Sequence, residues 1–520
     1  MTPRVAPPAV VPTGARLENL IRRSDLLIIG ARHDRRASTL LHAAGARRLL
    51  TRIGLWAVPS NRITSLIAKA NRPGLSLIRF VELPSNRDEI VEPMPPRKPY
   101  AFTDPLASPT YSWHLYAVGA NQVPTTGPGF PITIFDSGLD AAHPDFAGRP
   151  NTLMLNTQNV ALTPEDYHGT MVASVAAAAQ NGAGAEGVYS GAALRSYDFD
   201  YATWESYVQG FVSALQAGPS VINMSFGGAE ASRADYELMI AAFEAGSVLV
   251  AASGNEYAEG NPINYPAAYP HVLTVGAIDQ TGAPASFSSS GLHVDLAAPG
   301  VAIPVQDPTD PNYYWPVDGT SFAAPIVSAA AAYAMTARPM EKTQLFDLVR
   351  WTARDTSSLG WDERTGYGIV DMPALLAAPP PAVDPLEPND DIDQVKPGEM
   401  FASGKRPINP SGKNGFLRAR IDLTEDPDDV YRVVVPAKRK ATVTVRGNDD
   451  LALDLWRPLA RTVWTGSYGR LAKSDRTTTT ETLAWINKSN RAVVFYAHVQ
   501  LSRNSKYLGA TYTLGVRIRR

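Results

Sequence analysis

A carboxylate, an imidazole and a hydroxyl stand in that order at the ends of predicted strands and helices, and this setting restricts the fold of the middle of the chain. Asp136 follows the apolar residues 130–135, which predict a buried strand. Alanine-rich segments that predict helices follow His168 and Ser321. Because open α/β sheets bind ligands at the carboxyl ends of their strands, the pattern predicts a strand-and-helix fold with a site at one sheet edge.

The chemistry of these three residue types indicates nucleophilic catalysis. A serine hydroxyl becomes an effective nucleophile only when an adjacent base takes its proton, and the base needs a partner that fixes its tautomer. Asp, His and Ser in this chain order is one of the few orders known for such a triad. Each segment alone is more often a turn or a helix start, but their order and context together favour a serine peptidase.

An amide lies at the end of another predicted strand. Residues 248–252 are apolar, small residues follow them, and the segment ends at Asn255. Acyl transfer builds negative charge on the substrate carbonyl oxygen, and a preorganised hydrogen-bond donor lowers that barrier. Gly-Asn is also a common turn dipeptide, so Asn255 alone would predict only a turn. Beside the other three segments it predicts an oxyanion donor.

Six further segments carry a family signature: residues 221–228, 264–270, 272–277, 287–291, 296–301 and 366–371. With the segments above, they make the chain resemble the subtilisin-like serine peptidases (subtilases) over about residues 113–376. The resemblance implies an α/β fold with a doubly wound, mostly parallel sheet, and a serine endopeptidase that works through an acyl-enzyme. It implies that Asp136 orients, His168 is the general base and acid, and Ser321 attacks. Asn255 and the Ser321 N–H would hold the oxyanion.

The resemblance also implies which residues flank the substrate. Two strands would line the first specificity pocket, with Ser225, Phe226 and Gly227 on one side and Ala251, Ala252, Ser253 and Gly254 on the other. Small residues there leave room for a large apolar side chain. We therefore expect a broad endopeptidase of protein and peptide substrates that prefers large apolar residues.

No cofactor is expected for the chemistry, but the resemblance implies a structural calcium ion. Asp145 and Asn181 match the positions of two calcium ligands of the family. The backbone oxygens of Ala179, Ala183 and Ala185 would complete the site, although the Ala-Gly-Ala-Glu sequence departs from the usual loop. Calcium prefers several such oxygen ligands.

Length and charge divide the chain into three parts. A chain of 520 residues predicts several domains. Lys and Arg number 17 against 7 Asp and Glu in residues 1–100, 8 against 27 in residues 101–380, and 23 against 16 in residues 381–520. The acidic middle argues against nucleic-acid binding. Cysteine is absent, which excludes disulfides, and no apolar run reaches 18 residues, so no membrane span is expected.

The N-terminal part is predicted to be an inhibitory pro-domain. We expect a disordered segment at residues 1–24, then alternating strands and helices that predict a small α/β sandwich at residues 25–90. Its position before the catalytic domain, more than its sequence, resembles the pro-domain of subtilases. The resemblance implies that it blocks the cleft of a zymogen as an intramolecular inhibitor and is then cut. Residues 91–105 are predicted to be a linker, and residues 106–378 the catalytic domain.

The C-terminal part is predicted to be an all-β sandwich. A proline-rich linker is expected at residues 379–393, and short strand-like segments follow at residues 394–520. The part resembles the pre-peptidase C-terminal domain of secreted peptidases, which begins with a Glu-Pro-Asn-Asp sequence like that at residues 387–390. These acidic residues are compatible with calcium binding, but the sequence favours a solvated turn.

The compartment and two rival functions stay open. Pro7, Pro8 and Pro12 interrupt the only candidate signal sequence, yet the domain layout favours secretion over a cytoplasmic location. A catalytically inactive binding scaffold and an esterase or amidase are the alternatives. The intact triad residues argue against the first. The absence of a Gly-x-Ser-x-Gly nucleophile elbow at Ser321 argues against the second.

Overall fold

A computed structural model of the chain describes residues 7–89, 100–101, 112–156, 164–182, 184–199, 203–307, 310–356, 360–464 and 469–520. The chain divides into two compact units. The first unit comprises Met1–Pro84, Ser232–Glu237 and Val383–Arg520, and the second comprises Ser85–Ala231 and Leu238–Ala382. The N-terminal and C-terminal parts, which the sequence predicted as separate domains, therefore belong to one unit.

The N-terminal part of the first unit is a four-stranded antiparallel sheet packed against helices, as predicted for residues 25–90. The strand order is β2-β3-β1-β6. The edge strand β2 was not predicted because exposed arginines at positions 47 and 48 hide its apolar pattern. The elements are α1 (Gly14–Arg23), β1 (Leu26–Ala31), α2 (Arg35–Ala43), β2 (Arg47–Leu50), β3 (Leu55–Pro59), α3 (Ile63–Ala70), β4 (Asn71–Arg72), β5 (Leu75–Ser76) and β6 (Ile78–Glu82).

Helix α1 corrects the prediction of a disordered segment at residues 1–24. Leu17 is buried in the core of this sheet, and Leu20 and Ile21 pack partly buried against the same core. Residues spaced by three and four positions lie on one face of a helix, and this apolar face is what holds α1 in place. The prolines that interrupt the candidate signal sequence, the last of which is Pro12, lie before the helix.

The second unit is built on a seven-stranded sheet of order β10-β11-β9-β12-β14-β15-β16, and every neighbouring pair is parallel. This confirms the doubly wound, mostly parallel fold. Its elements are β7 (Asp88–Glu89), β8 (Tyr100–Ala101), α4 (Trp113–Ala117), β9 (Ile132–Asp136), β10 (Thr152–Met154), α5 (His168–Ala177), β11 (Leu194–Asp198), α6 (Trp204–Ala217), β12 (Val221–Met224), β13 (Phe226–Gly227), α7 (Arg233–Glu244, whose first turn belongs to the first unit), β14 (Val248–Ala252), β15 (Val272–Ile278), β16 (Leu296–Pro299), β17 (Ile303–Asp307), β18 (Asp310–Val317), α8 (Thr320–Ala337), α9 (Lys342–Trp351) and α10 (Met372–Ala377).

Two features of the second unit determine the position of the candidate site. The direction in which the chain adds strands reverses at β9, which lies between β11 and β12, and ligands bind at such a switch point. Helix α8 packs against the sheet and is mostly apolar. In the described part of the chain it is the one helix long and apolar enough to cross a membrane, but 83% of it is buried inside the protein, as in a core helix.

The C-terminal part of the first unit contains two four-stranded antiparallel sheets, of order β19-β26-β21-β24 and β20-β25-β22-β23. Alternate residues of these strands form one shared apolar core, which confirms the predicted all-β class. The elements are α11 (Ile392–Val395), β19 (Gly415–Asp422), β20 (Asp428–Val435), β21 (Lys440–Gly447), β22 (Leu451–Trp456), β23 (Arg470–Ser474), β24 (Thr480–Ile486), β25 (Val493–Leu501) and β26 (Gly509–Arg519).

The predicted linker at residues 379–393 is wrong for its second half. Residues from Val383 onward belong to the first unit, and α11 begins at Ile392. Glu387, Asn389 and Asp390 are 7%, 0% and 0% exposed, so the Glu-Pro-Asn-Asp sequence is not a solvated turn. The sequence misled because prolines and acidic residues are typical of exposed linkers, and only the tertiary contacts bury them.

Candidate active site

Asp136 lies where the sequence predicted it, at the carboxyl end of the buried strand β9. Its side chain is fully buried, and Oδ1 accepts a hydrogen bond from the Ser137 N–H at 2.8 Å. His168 begins helix α5, and its Nδ1 lies 2.8 Å from the same carboxylate oxygen. Because a carboxylate only accepts, Nδ1–H is the donor, and Nε2 is therefore the basic nitrogen of the neutral ring.

The approach of α5 to β9 depends on a glycine. A Cβ atom at Gly169 would lie 2.4 Å from the carbonyl oxygen of Gly138 and 3.1 Å from the Cβ of Asp136. The Gly169 N–H donates to the Ser137 hydroxyl at 3.0 Å. Glycine after the histidine thus lets the helix start against the strand, and this contact brings the imidazole to the carboxylate.

Ser321 is the second residue of helix α8 and is fully buried. The ring of the next residue, Phe322, lies 5.8 Å from the His168 ring, so the histidine and the serine segment meet. The Ser225 hydroxyl donates to the Ser321 carbonyl oxygen at 2.8 Å, and the Ser321 hydroxyl points to the Ser225 carbonyl oxygen at 3.4 Å. The first N–H groups of a helix have no carbonyl acceptor inside that helix, and the Ser321 N–H is one of these groups at the start of α8.

Pro325 explains the bond between Ser225 and Ser321. Helix α8 starts at Thr320, so Pro325 lies in its second turn. A residue at this position would normally donate its N–H to the carbonyl four residues earlier, which is that of Ser321, and proline has no N–H. The Ser225 hydroxyl satisfies that carbonyl instead.

Asn255 is held by the residue that precedes Ser321. Its Oδ1 accepts from the Thr320 N–H at 3.1 Å and from the Thr320 hydroxyl at 2.8 Å. These bonds fix the orientation of the amide, because its carbonyl end is directed to Thr320 and its Nδ2 end carries the donors. The sequence did not single out Thr320, although its place directly before the candidate nucleophile was the available signal.

Glu256 organises the small residues beside Asn255 and was also missed. Its Oε2 accepts from the Asn255 N–H at 2.9 Å, from the Asn264 side-chain amide at 2.8 Å and from the Ser289 hydroxyl at 3.3 Å. A Cβ at Gly254 would lie 1.9 Å from Asn264 Nδ2 and 2.6 Å from Glu256 Oε2. The remaining predicted residues of this wall, Ala251, Ala252 and Ser253, are fully buried at the end of β14.

The other predicted wall is a short strand with a partner. In β13, Phe226 pairs with Glu89 and Gly227 with Asp88 in an antiparallel ladder with β7. Arg87, which directly precedes β7, is 1% exposed and donates a hydrogen bond to the Glu230 carbonyl oxygen at 3.1 Å. Extended chain from the N-terminal side therefore occupies the edge on which the sequence placed the substrate.

The predicted calcium ligand Asp145 is surrounded by hydrogen-bond donors. Its carboxylate is fully buried and accepts from the Ser174 hydroxyl at 3.0 Å, the Ala185 N–H at 3.0 Å and the Tyr314 hydroxyl at 2.6 Å. Burial raises the pKa of Asp145 to about 6. Both carboxylate oxygens are thus stabilised by donors, whereas a calcium ion would require them as its own ligands.

The other residues predicted for this ion give it no further support. Asn181 donates its amide to the Pro144 carbonyl oxygen at 2.9 Å, and the Ala179 N–H donates to the Asp145 backbone. Ala183 lies outside the described residues. The described residues of this set make the contacts of a hydrogen-bonded loop, and this geometry does not fit calcium ligation.

A second set of oxygen ligands lies in the C-terminal part of the first unit. Glu387, Asp390 and Asp426 place carboxylate oxygens within 4.8 Å of one another, and all three are buried. Oδ1 of Asp426 and Oδ1 of the neighbouring Asn389 are buried without a hydrogen-bond partner. Burial, and then repulsion from Glu387 and Asp429, raises the pKa of Asp426 well above its usual value. Buried carboxylate and amide oxygens are the ligands that hard cations take, so this acidic cluster could hold a metal.

Comparison with known proteins relates the middle of the chain to a family of peptidases. Residues 127–368 match the model of the subtilase family of peptidases. Subtilisin from Bacillus pumilus is 33% identical over 256 residues, which cover 48% of this chain and 91% of that protein. The minor extracellular protease Epr of Bacillus subtilis is 31% identical over 343 residues, which cover 63% of this chain and 51% of that protein.

A solved structure resembles nearly the whole chain. The crystal structure of fervidolysin from Fervidobacterium pennivorans, described as a keratinolytic enzyme related to subtilisin, matches with a TM-score of 0.57 at 20% identity. The match covers 92% of this chain and 91% of that one. At this identity the likeness shows a shared fold.

Proposed function

The chain belongs to the subtilase family of serine peptidases, and from that premise we propose that Asp136, His168 and Ser321 form its catalytic triad. The observation that carries the proposal is the 2.8 Å bond between His168 Nδ1 and the buried Asp136 carboxylate, beside the helix that begins with the Ser321 segment. Such a bond fixes the tautomer with Nε2 basic and stabilises the imidazolium that forms when Ser321 loses its proton.

The reaction proceeds in two acyl-transfer steps. Ser321 Oγ attacks the peptide carbonyl carbon while His168 Nε2 takes its proton, and His168 then returns that proton to the leaving amine. Water then attacks the acyl-enzyme carbonyl carbon while His168 Nε2 takes its proton, and His168 returns that proton to Ser321 Oγ as the ester bond breaks and the acid leaves. The Asn255 amide and the Ser321 N–H donate to the oxyanion of both tetrahedral intermediates. Neither step requires a cofactor.

We propose that extended peptides bind by pairing with β13. The ladder between β13 and the segment at Asp88 supports this, because that edge already accepts an antiparallel strand. Ser225, Phe226 and Gly227 would hold the substrate backbone, and Ala251, Ala252, Ser253 and Gly254 would leave room for a large apolar side chain. Profiling on a peptide library tests this preference, and cleavage only after basic residues would contradict it.

The same ladder supports synthesis as a zymogen. A segment from the N-terminal side that occupies the substrate edge would block access until the chain is cut, so the N-terminal part would act as an intramolecular inhibitor.

One relative is named an extracellular protease, which supports a secreted enzyme. A structural calcium ion is proposed at the acidic cluster of Glu387, Asp390 and Asp426 rather than at Asp145, because Oδ1 of Asp426 is buried without a donor whereas both carboxylate oxygens of Asp145 accept hydrogen bonds.

Intact mass of three full-length proteins tests the triad and the zymogen together. Wild type and Ser328→Ala should be cleaved after about the first hundred residues, react with a fluorophosphonate reagent and cleave casein, whereas Ser321→Ala should do none of these. Ser328 is the matched control because it lies in the same helix and donates to Asn223. Reaction of Ser321→Ala with the reagent would contradict the assignment of the nucleophile. Absence of reaction in wild type would favour an inactive scaffold, and cleavage of esters but not of casein would favour an esterase.

A further inference from the structure

Three distant segments of the chain meet at a group of buried charges within the first unit. Arg79 lies on β6, Arg233 and Glu237 lie in the first two turns of α7, and Asp393 lies on α11. We call these four residues the charge cluster. The N-terminal part, residues 232–237 and the C-terminal part each contribute at least one member.

Glu237 and Arg79 form the first pair of the charge cluster. Nη1 and Nη2 of Arg79 both donate to the Glu237 carboxylate, Nη2 at 2.7 Å, and Nη2 also donates to the Ile53 carbonyl oxygen at 2.8 Å. The Arg79 side chain is 4% exposed and that of Glu237 is 0% exposed. A bidentate pair of this kind is among the strongest and most directional hydrogen-bonded contacts in proteins.

Arg233 links this pair to the C-terminal part. Its Nε lies 3.0 Å from Glu237 and its Nη2 lies 2.6 Å from Asp393, while the guanidinium packs over the ring of Trp464 at 5.4 Å. Arg233 is 1% exposed. Glu237 therefore bridges two arginines, one of which belongs to the N-terminal part and the other of which holds the C-terminal part.

Further contacts join the N-terminal part to the rest of the unit. The Glu82 carboxylate accepts from the N–H groups of Arg233 and Ala234, at 3.0 and 2.7 Å, and so caps the start of α7. On the other side, Arg32 lies 2.8 Å from Glu399, and the His33 N–H donates to the Gly398 carbonyl oxygen at 2.9 Å. These bonds connect the N-terminal part directly to the C-terminal part.

A contact of this kind separates slowly. Buried, hydrogen-bonded charge pairs act mainly on the rate of dissociation, because one partner cannot leave without the other losing its bonds in a desolvated site. Salt screens such pairs much less than exposed ones. Departure of the N-terminal part would leave Glu237 without Arg79 and α7 without its Glu82 cap.

We propose that residues 7–84 are a permanent partner of the C-terminal β-domain, held by the charge cluster, and stay bound after the chain is cut downstream of Pro84. A pro-domain that leaves after processing would behave in the opposite way. The inference goes beyond the proposed function and does not rest on it, because any cut downstream of Pro84 produces the same two fragments.

The test uses the full-length Ser321→Ala protein with the recognition sequence of a highly specific protease inserted between Met94 and Pro95. After that protease has cut the chain, which denaturing electrophoresis confirms, size-exclusion chromatography is run under native conditions in 0.15 M and 1 M NaCl. Both fragments should co-elute at the position of the uncut protein at either salt concentration. Separate elution of the N-terminal fragment would overturn the proposal.

Matched variants then test whether the charge cluster is the cause. Glu237→Gln should increase the dissociation rate of the cut N-terminal fragment at least tenfold, whereas Arg72→Gln, an exposed arginine of the same part, should leave it unchanged. Asp393→Asn replaces Glu237→Gln if the latter lacks a cooperative thermal transition before cutting. Equal dissociation rates for the cluster variant and the control would overturn the role of the charge cluster.

Discussion

The Ser225 hydroxyl donates to the carbonyl oxygen of Ser321 at 2.8 Å, and this bond replaces the helical one that Pro325 cannot make. A proline in a helix interior ordinarily leaves a carbonyl without its donor, and a buried acceptor without a donor costs about 1–3 kcal/mol. The neighbouring strand residue removes that cost and at the same time fixes the backbone of the candidate nucleophile.

Ser225→Ala should therefore lower the free energy of unfolding by about 1–3 kcal/mol, because the Ser321 carbonyl becomes unsatisfied. The double variant Ser225→Ala/Pro325→Ala should recover most of this loss, since an alanine at position 325 again supplies the helical N–H. Urea unfolding of both proteins in the Ser321→Ala background, which prevents self-digestion, measures the effect. A double variant less stable than Ser225→Ala would contradict this explanation.

Asn255→Ala should lower kcat by about 10²–10³ with little change in KM, as losing one oxyanion donor does in subtilisin, where this cost was measured. Thr320→Val should lower kcat by a smaller factor, about tenfold, because it removes only the hydroxyl that directs the Asn255 carbonyl. Steady-state kinetics on a peptide anilide gives both values. An unchanged kcat in Asn255→Ala would argue against an oxyanion role.

Gly254→Ala should abolish most activity, and Gly260→Ala should not. Both glycines have a positive φ, 109° and 97°, so backbone strain is similar in the two variants. A Cβ at Gly254 would overlap the Asn264 amide that Glu256 holds, whereas a Cβ at Gly260 has no neighbour within 4 Å. Kinetics of the two purified variants, with circular dichroism as the folding control, separates the effects. Equal losses would show that strain, not packing around Glu256, is responsible.

Removal of a bound cation by EDTA should destabilise the protein more at pH 8 than at pH 5. Burial raises the pKa of Asp429, beside the acidic cluster, to about 7. Because the pKa of this group is higher in the folded state, its contribution to the free energy of unfolding is greatest when it is protonated and is lost as the pH rises through 7. A bound cation compensates for the buried negative charge and therefore stabilises the protein most at high pH. At a concentration 100 times its dissociation constant, calcium would add about 2.7 kcal/mol.

Thermal unfolding of the Ser321→Ala protein, with calcium or with EDTA at pH 5 and pH 8, measures this effect. Asp426→Asn should reduce the calcium-dependent shift, and Asp475→Asn, in a salt bridge with Lys473 outside the cluster, should keep it. A shift that disappears in Asp145→Asn but persists in Asp426→Asn would place the cation at Asp145 instead.

The sequence predicted the residues of the candidate site better than the residues that hold them in place by hydrogen bonds. Asp136, His168, Ser321 and Asn255 each follow or begin a segment whose periodicity and motif are local, so their meeting at one sheet edge could be anticipated. Thr320 and Glu256 carry no such pattern. Their roles come from the hydrogen bonds that their side chains make in the folded chain, and the bond of Thr320 to Asn255 spans 65 residues of sequence.

Local pattern by itself determined the fold class of each part, because the alternation of apolar and polar residues depends only on which face of a strand or helix is buried. Tertiary structure alone decided how the ends of the chain are arranged. Residues 14–23 and 383–393 looked disordered or solvated, and become ordered through contacts with residues far away in sequence. Arg79, Arg233, Glu237 and Asp393 look like ordinary surface charges until folding removes water from all of them together, since burial of a charge is a property of its neighbours and not of its own segment.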